Sequence, residues 1–217
     1  MKAILFGASG FVGSYLLQEL LNDPMYDRVI VVARKDLGIE HPKLKALLGD
    51  YNTLPQLKSD LVADHIFITL GTTRKKTPDQ KQYYQVDHDY PVLAAKILKE
   101  NGAQTVCLLT AVGANERSNI FYIRTKGEVE RDVIALNFGQ THIFRPSMIM
   151  GDRIEKRPVE KMFLSFWSVL NPLLIGSMRK YKGIQAKEIA KAMKNAAKEN
   201  DVRSKVYHWK EMKQLIS

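Results

Sequence analysis

The chain has 217 residues, 45% of them apolar, with 33 Lys or Arg against 23 Asp or Glu and a formal net charge of +10. These are the proportions of a globular protein of one domain, or of one domain with a small extension. A lone Cys107 excludes an intrachain disulfide, and His41, His65, His88, His142 and His208 stand at no ligand spacing, so no metal site is expected.

The chain opens on an apolar run, residues 2–6, then Gly7-Ala8-Ser9-Gly10-Phe11-Val12-Gly13, then a helical pattern over 15–21. Strand, glycine turn and helix form the context in which such glycines mark a dinucleotide phosphate site. Gly7 permits the tight turn, Gly10 lets the backbone approach a pyrophosphate, and Gly13 lets the helix pack on the strand. Ser9, Phe11 and Val12 complete the loop, and the helix start faces the anion with its dipole behind it.

A buried strand over 28–33 follows and ends at Arg34-Lys35. Arg34 lies 21 residues after Gly13, where an acidic residue would accept from a ribose 2′-hydroxyl. A basic pair here suits a 2′-phosphate instead, and selects NADP(H) over NAD. A third strand over 44–48 leads to Asp50 and Tyr51, placed to bond the adenine amino group and to flank the ring. After a fourth strand over 64–70, the small-residue turn Gly71-Thr72-Thr73 lets the backbone, with Leu70, run past the cofactor.

A helix over 87–101, a fifth strand over 105–109, a helix over 121–137 and a sixth strand over 141–144 complete the alternation. Such a β/α order predicts an α/β fold with a doubly wound parallel sheet, its ligand across the carboxyl ends of the strands. Residues 147–217 read as a small C-terminal lid on the substrate side of one domain spanning 1–217. The lid comprises an apolar helical stretch over 158–176, a basic amphipathic helix over 185–200, a late strand over 205–209 and a last short helix. Residues 162–178 hold no charge and suit an apolar substrate wall, with peripheral membrane contact as a lesser alternative. From 177 to 217, eleven Lys or Arg face four Asp or Glu, but no RNA-binding, zinc-finger or basic-zipper pattern accompanies them. No nucleic acid is expected as partner, and the charge reads as a solvated face. The lone cysteine and a first strand at residue 2 suggest a cytoplasmic protein without a signal peptide.

Tyr122 and Lys126 stand at i and i+4, on one helix face just after the fifth strand. A neighbouring ammonium and a cationic nicotinamide favour the phenolate and lower the tyrosine's pKa, so Tyr122 suits proton transfer to or from a substrate oxygen. Lys126 is also placed to hold the nicotinamide ribose. Thr110, at the end of the fifth strand, is the nearest hydroxyl upstream that could orient the substrate; Ala111 could not.

Several stretches together resemble the short-chain dehydrogenase/reductase superfamily, in particular its atypical branch that includes the Tat-interactive, oxidoreductase-like proteins. They are residues 7–13, Leu70-Gly71-Thr72-Thr73-Arg74, Val86-Asp87, Gly113-Ala114-Asn115, 118–122, Lys126-Gly127-Glu128-Val129-Glu130 and Phe144-Arg145-Pro146, in family order over most of the chain. The resemblance implies an NADP-binding Rossmann fold with a Tyr/Lys catalytic pair. It departs from the superfamily where a serine usually ends the fifth strand, since Leu109-Thr110-Ala111-Val112 stands there. Two other readings follow: an NADPH-binding redox-sensing or scaffolding module without turnover, and a sugar-nucleotide epimerase or dehydratase, for which the C-terminal extension is short.

Overall fold

The computed structural model describes residues 1–151, 176–199 and 203–217. Its centre is β1 (Lys2–Phe6), whose apolar residues are buried on both sides because helices cover both faces of the sheet. The chain then forms α1 (Phe11–Leu21), β2 (Arg28–Ala33), β3 (Leu44–Leu48), a 3₁₀ turn (Leu54–Asp60) and β4 (His65–Ile68). It continues through α2 (Gln80–Tyr84), a wide π turn (Gln85–Asp89), α3 (Tyr90–Glu100), β5 (Thr105–Leu109), α4 (Phe121–Ala135) and β6 (Gln140–Phe144). Then come β7 (Ile149–Met150), a 3₁₀ turn (Gly176–Tyr181), β8 (Ile184–Gln185), α5 (Ala186–Ala196), β9 (Ser204–Tyr207) and α6 (Trp209–Gln214).

Seven strands make one parallel sheet in the order β3-β2-β1-β4-β5-β6-β9. The chain runs outward from β1 to β3, then returns to place β4 against the other side of β1. That reversal opens a crevice at the carboxyl ends of β1 and β4, where ligands of doubly wound sheets bind. Leu5, Phe67, Cys107 and Phe144 meet α1 and α5 on one face, and Ile4, Phe6, Ile66 and Val106 meet α3 and α4 on the other.

The structure departs from the sequence reading in three places. β4 stops at Ile68, because Thr69 turns its N–H and its Oγ1 onto the carbonyl of Phe6, at 2.9 and 3.0 Å, and so frees residues 69–72 to wall the crevice. The helix expected over 87–101 starts at Gln80, capped by the Asp79 carboxylate accepting from Gln82 N–H at 2.8 Å. It widens into a π turn immediately before α3, where Pro91 has no N–H to donate back to residue 87. Lastly, α5 and β9 are not a lid. α5 buries Ile189, Ala190 and Met193 against the α1 face, and β9 pairs with β6. The late strand ends at Tyr207 because Trp209 leaves it, its indole N–H donating to the Gly183 carbonyl at 3.0 Å. Part of the basic excess is also consumed here: Lys194 meets Glu19 at 2.6 Å, Lys213 meets Glu188 at 2.6 Å and Lys198 pairs with Asp23. The short parallel pair of β7 and β8 has no periodic signal in the sequence. The apolar stretch over 158–176, and with it the expected substrate wall and membrane contact, lies up to residue 175 outside the described residues.

His142, fully buried on β6, sets an acid limit. Tyr207 donates to Glu199 at 2.9 Å, so the 2.8 Å bond between His142 Nδ1 and the Tyr207 oxygen takes the imidazole's proton. Nε2 has no partner among the described residues, and a proton there would be buried without an acceptor. Burial pushes the pKa down to about 4. The unfolded chain, near 6.5, then binds more protons below that pH, so stability falls as pH drops from about 6.5 to 4, by about 3 kcal/mol from this group. His142→Leu removes the titration. Its Tm should fall less than the native protein's between pH 7 and 4.5, by about 5 °C or more; parallel curves would assign the acid sensitivity elsewhere.

Candidate active site

Gly7 takes a φ of +90°, which turns the chain sharply out of β1, and its carbonyl accepts from Gly10 N–H at 2.9 Å. The loop delivers the first turn of α1 to the crevice, where the leading N–H groups have no carbonyl one turn earlier in the helix. Gly7, Ser9 and Gly10 line a cleft of about 470 Å³. Gly13 lies behind it, so close to the loop that a Cβ would stand 2.0 Å from the Gly7 oxygen. Val12 is buried in the core and Phe11 packs edge-on against Tyr15 at 6.2 Å, so these two would act through backbone alone.

Arg34 lines the cleft and is exposed, whereas Lys35 is exposed and not among the residues that line it. Asp50 and Tyr51 line the cleft as well. Asp50 Oδ1 accepts from Asn52 N–H at 3.0 Å and from the N–H and hydroxyl of Thr53, each at 3.1 Å, so that oxygen organises the turn. The Thr53 hydrogen bonds, and to a lesser degree Arg34, hold the carboxyl below its usual range. Tyr51 meets Tyr90 edge-on at 6.1 Å.

Leu70, Gly71 and Thr72 make the near wall. Thr72 N–H donates to Asp87 Oδ2 at 2.8 Å, and Asp87 Oδ1 lies 2.8 Å from Lys126 Nζ. Both partners are buried, Asp87 to 1% and Lys126 to 6% exposure, so the pair is sheltered from solvent and from salt. A Cβ on Gly71 would stand 3.6 Å from Asp87 Oδ1 and 3.8 Å from Lys126 Nζ. The backbone therefore passes directly over the ion pair. Sequence reasoning gave Asp87 no role, although Val86-Asp87 was among the stretches carrying the resemblance; its burial arises from the π turn, which no local periodicity announces. Lys76, Thr77, Gln85 and Val86 also line the cleft and were not anticipated.

Tyr122, in the first turn of α4, is 41% exposed and lines an adjoining pocket of about 510 Å³ that shares Thr72 with the cleft. Its pKa is raised above the usual 10, the opposite of the sequence expectation. Removal from water is the largest cause and Asp87 adds to it, while Lys126 opposes them.

Thr110 is not placed as expected. Its hydroxyl donates to Glu130 Oε1 at 2.5 Å and also lies 3.3 Å from the Phe144 carbonyl, in the interior. Glu130 is held in turn by Arg145, whose Nε lies 2.9 Å from Oε1. The three residues tie α4 to the ends of β5 and β6, and Thr110 lines neither cavity.

The residues fit a dinucleotide: a glycine cradle with no side chain in the way, a helix start, a cation at one end and a Tyr/Lys pair at the other. The comparisons agree. The model of the NAD dependent epimerase/dehydratase family matches residues 3–214. Protein FMP52, mitochondrial, of Candida glabrata is 35% identical over 151 residues, 70% of this chain and 65% of that protein, so the match spans just under two thirds of the relative's length. The Aspergillus fumigatus protein of the same name is 37% identical over 72% of this chain and 70% of its own. Protein HTATIP2 of Rattus norvegicus is 32% identical over 78% and 71%. Among solved structures, MoeE5 in complex with UDP-glucose and NAD superposes with a TM-score of 0.71 at 20% identity, covering 95% of this chain and 75% of that one. The human epimerase family protein SDR39U1 with NADPH gives 0.62 at 18%, covering 95% and 72%. These two likenesses show the fold.

The cytoplasmic expectation does not survive, because the FMP52 relatives are named as mitochondrial proteins. Its physical premise was weak: Cys107 is fully buried and free, so it records only that no disulfide forms. Among the described residues, no helix is long and apolar enough to cross a membrane. Glycine loop, sheet order and relatives converge, and the chain belongs to the NAD dependent epimerase/dehydratase family, in the atypical, NAD(P)-binding branch of the short-chain dehydrogenases/reductases.

Proposed function

We propose that the chain is an NADP-dependent oxidoreductase acting on a carbonyl or alcohol group, with Tyr122 as acid/base. The observation that carries this reading is the meeting of two cavities at Thr72. The dinucleotide cleft lies on one side, the pocket of Tyr122 on the other, and the Lys126–Asp87 pair under the backbone between them. Held over Gly7 and Gly10 in the cleft, a reduced nicotinamide dinucleotide would supply the hydride that reduces a carbonyl carbon. Tyr122 gives its hydroxyl proton to the oxygen, so an alcohol forms, and solvent returns the proton to the phenolate. Lys126 stabilises the negative charge that develops on that phenolate, and Asp87, itself held by Thr72 N–H, fixes the ammonium.

Arg34 supports NADP over NAD, since a guanidinium in the cleft matches a phosphate dianion in charge and geometry. Fluorescence titration should show NADPH binding at least about 10-fold tighter than NADH, and Arg34→Ala should weaken NADPH about 10- to 100-fold while NADH changes little, the loss of one charge-assisted contact. Equal binding of the two nucleotides by the native protein would refute the role given to Arg34.

A second reading, NADPH binding without turnover, draws on Thr110: the hydroxyl expected to orient a substrate is spent on Glu130. A Tyr122→Phe chain that keeps its cellular role, beside a Gly10 variant that loses it, would favour this alternative. The sugar-nucleotide reading draws only on fold likeness.

A further inference from the structure

We propose that the pocket beside Tyr122 takes a carbonyl compound bearing an anionic group, with Arg74 as the residue that reads the anion. The identity of the reacting group rests on the reductase reading above; recognition of the anion stands on the pocket itself.

The pocket has an apolar floor and, among the described residues, a single charged wall residue. Tyr83, only 2% exposed, meets Phe121 edge-on at 5.6 Å, which fixes the aromatic base. Ile120 and Tyr122 are 64% and 41% exposed, so two large apolar surfaces stand in water at the rim of one cavity. Burying them is favourable for any ligand with an apolar body. At about 510 Å³ the pocket admits a small aromatic or medium-chain molecule.

Among the described residues, Arg74 is the charged residue lining this pocket, and no acidic side chain lines it. Two nearby cations have partners: Arg124 donates to the Ser118 carbonyl at 2.9 Å and Lys126 pairs with Asp87. Among the described residues no carboxylate pairs with Arg74. Its loop is a fixed turn rather than a loose tether. Thr77 N–H and Lys76 N–H donate to the Thr73 carbonyl at 2.8 and 2.9 Å, and the hydroxyls of Thr72 and Thr77 meet at 2.8 Å. That turn divides its side chains. Lys76 and Thr77 line the dinucleotide cleft, whereas Thr73 and Arg74 line the pocket of Tyr122. The charge of Arg74 accordingly acts on the Tyr83 hydroxyl. A guanidinium at this point offers a planar fork to a carboxylate while the ligand's apolar body covers Phe121 and Ile120. The reduction leaves the anionic group untouched: the oxo carbon gains the hydride, its oxygen gains the proton of Tyr122, and Arg74 only binds.

The test uses the full chain and a matched pair of probes, 4-formylbenzoate and its methyl ester. Calorimetry on protein saturated with NADP⁺ reads binding without turnover, and NADPH oxidation reads turnover. The carboxylate should bind about 10-fold tighter than the ester, as one solvent-facing charge-assisted contact allows. Arg74→Met should erase that preference and leave NADPH affinity as in the native chain, and Arg74→Lys should restore part of it. An ester bound as tightly as the carboxylate, or a preference that persists in Arg74→Met, overturns the proposal. So does a loss of NADPH affinity in Arg74→Met, which would return Arg74 to the cofactor site. Carboxylate preference without NADPH oxidation sustains the anion site and sinks the reductase reading, and oxidation without preference does the reverse.

Discussion

Gly13→Ala should lower Tm by about 6–12 °C and abolish NADPH binding. The methyl group would stand 2.0 Å from the Gly7 carbonyl oxygen, 2.8 Å from its carbon and 2.7 Å from Thr69 Oγ1. A flexible side chain could yield, but this carbonyl cannot. It accepts from Gly10 N–H, Thr69 Oγ1 lies 3.3 Å from it, and it belongs to a residue already turned to a φ of +90° at the end of a buried strand. The helix must move instead, and α1 carries Leu16, Leu17, Leu20 and Leu21 into the core, all at most 3% exposed. Overpacking against rigid neighbours costs about 1–3 kcal/mol, and at this chain length about 3 kcal/mol corresponds to a fall of about 6–12 °C. The same shift withdraws the helix start from the phosphate position. Gly10→Ala separates the two effects. Its Cβ would lie 3.0 Å from the Gly7 oxygen with the backbone in an ordinary extended conformation, so Tm should fall less while NADPH binding weakens at least 10-fold through blocked approach of the pyrophosphate. A Gly13→Ala protein with native Tm and native NADPH affinity would mean that close helix packing is not what the glycine is for.

These glycines were legible in the sequence because their demand is local. A turn with positive φ, a helix start and a bare backbone each name one residue type at one spacing, and Arg34 follows at the end of the next strand for the same reason. The doubly wound parallel sheet was legible too, because uninterrupted apolar runs such as residues 28–33 alternate with helical patterns. What stayed hidden depends on contacts between distant segments. Thr110 reads as a free strand-end hydroxyl until Glu130 from α4 and Arg145 from the end of β6 claim it. Asp87 reads only as the start of a helix until the π turn places it under Gly71 and onto Lys126. The fate of α5 follows the same logic. Its basic face suggests a solvated lid helix, while its Ala and Met face is the shape that fits against α1. Local pattern thus names the turn, the helix start and the strand-end residues of the cleft, and tertiary contact decides which polar groups are already engaged.

That distinction makes Tyr122 the decisive side chain for chemistry. Tyr122→Phe should cut kcat by about 10²- to 10⁴-fold, the usual share of a positioned general acid and equivalent to about 3–5 kcal/mol of barrier. NADPH affinity and Tm should barely move. The ring keeps its place beside Phe121 and Ile120, and removal of a hydroxyl that holds no hydrogen bond among the described residues strands no buried partner. The pH dependence sharpens the test. Because the phenol's pKa lies above its ordinary value of 10, Tyr122 stays protonated through neutral pH and keeps its proton until pH rises past that raised value. Carbonyl reduction, which needs the phenol, should therefore be flat from pH 6 to 9 as far as this group is concerned. Alcohol oxidation needs the phenolate and should climb about tenfold per pH unit over the same range. In Tyr122→Phe the climb should vanish. If the variant instead keeps a native kcat and the same rise with pH, Tyr122 is pocket wall and the proton comes from another hydroxyl. Thr73 is the next to examine: it lines the same pocket, and its Oγ1 accepts a long 3.3 Å bond from Lys76 N–H that leaves its own proton free to be given. Thr72 is less suited, since its hydroxyl is already engaged with that of Thr77 at 2.8 Å.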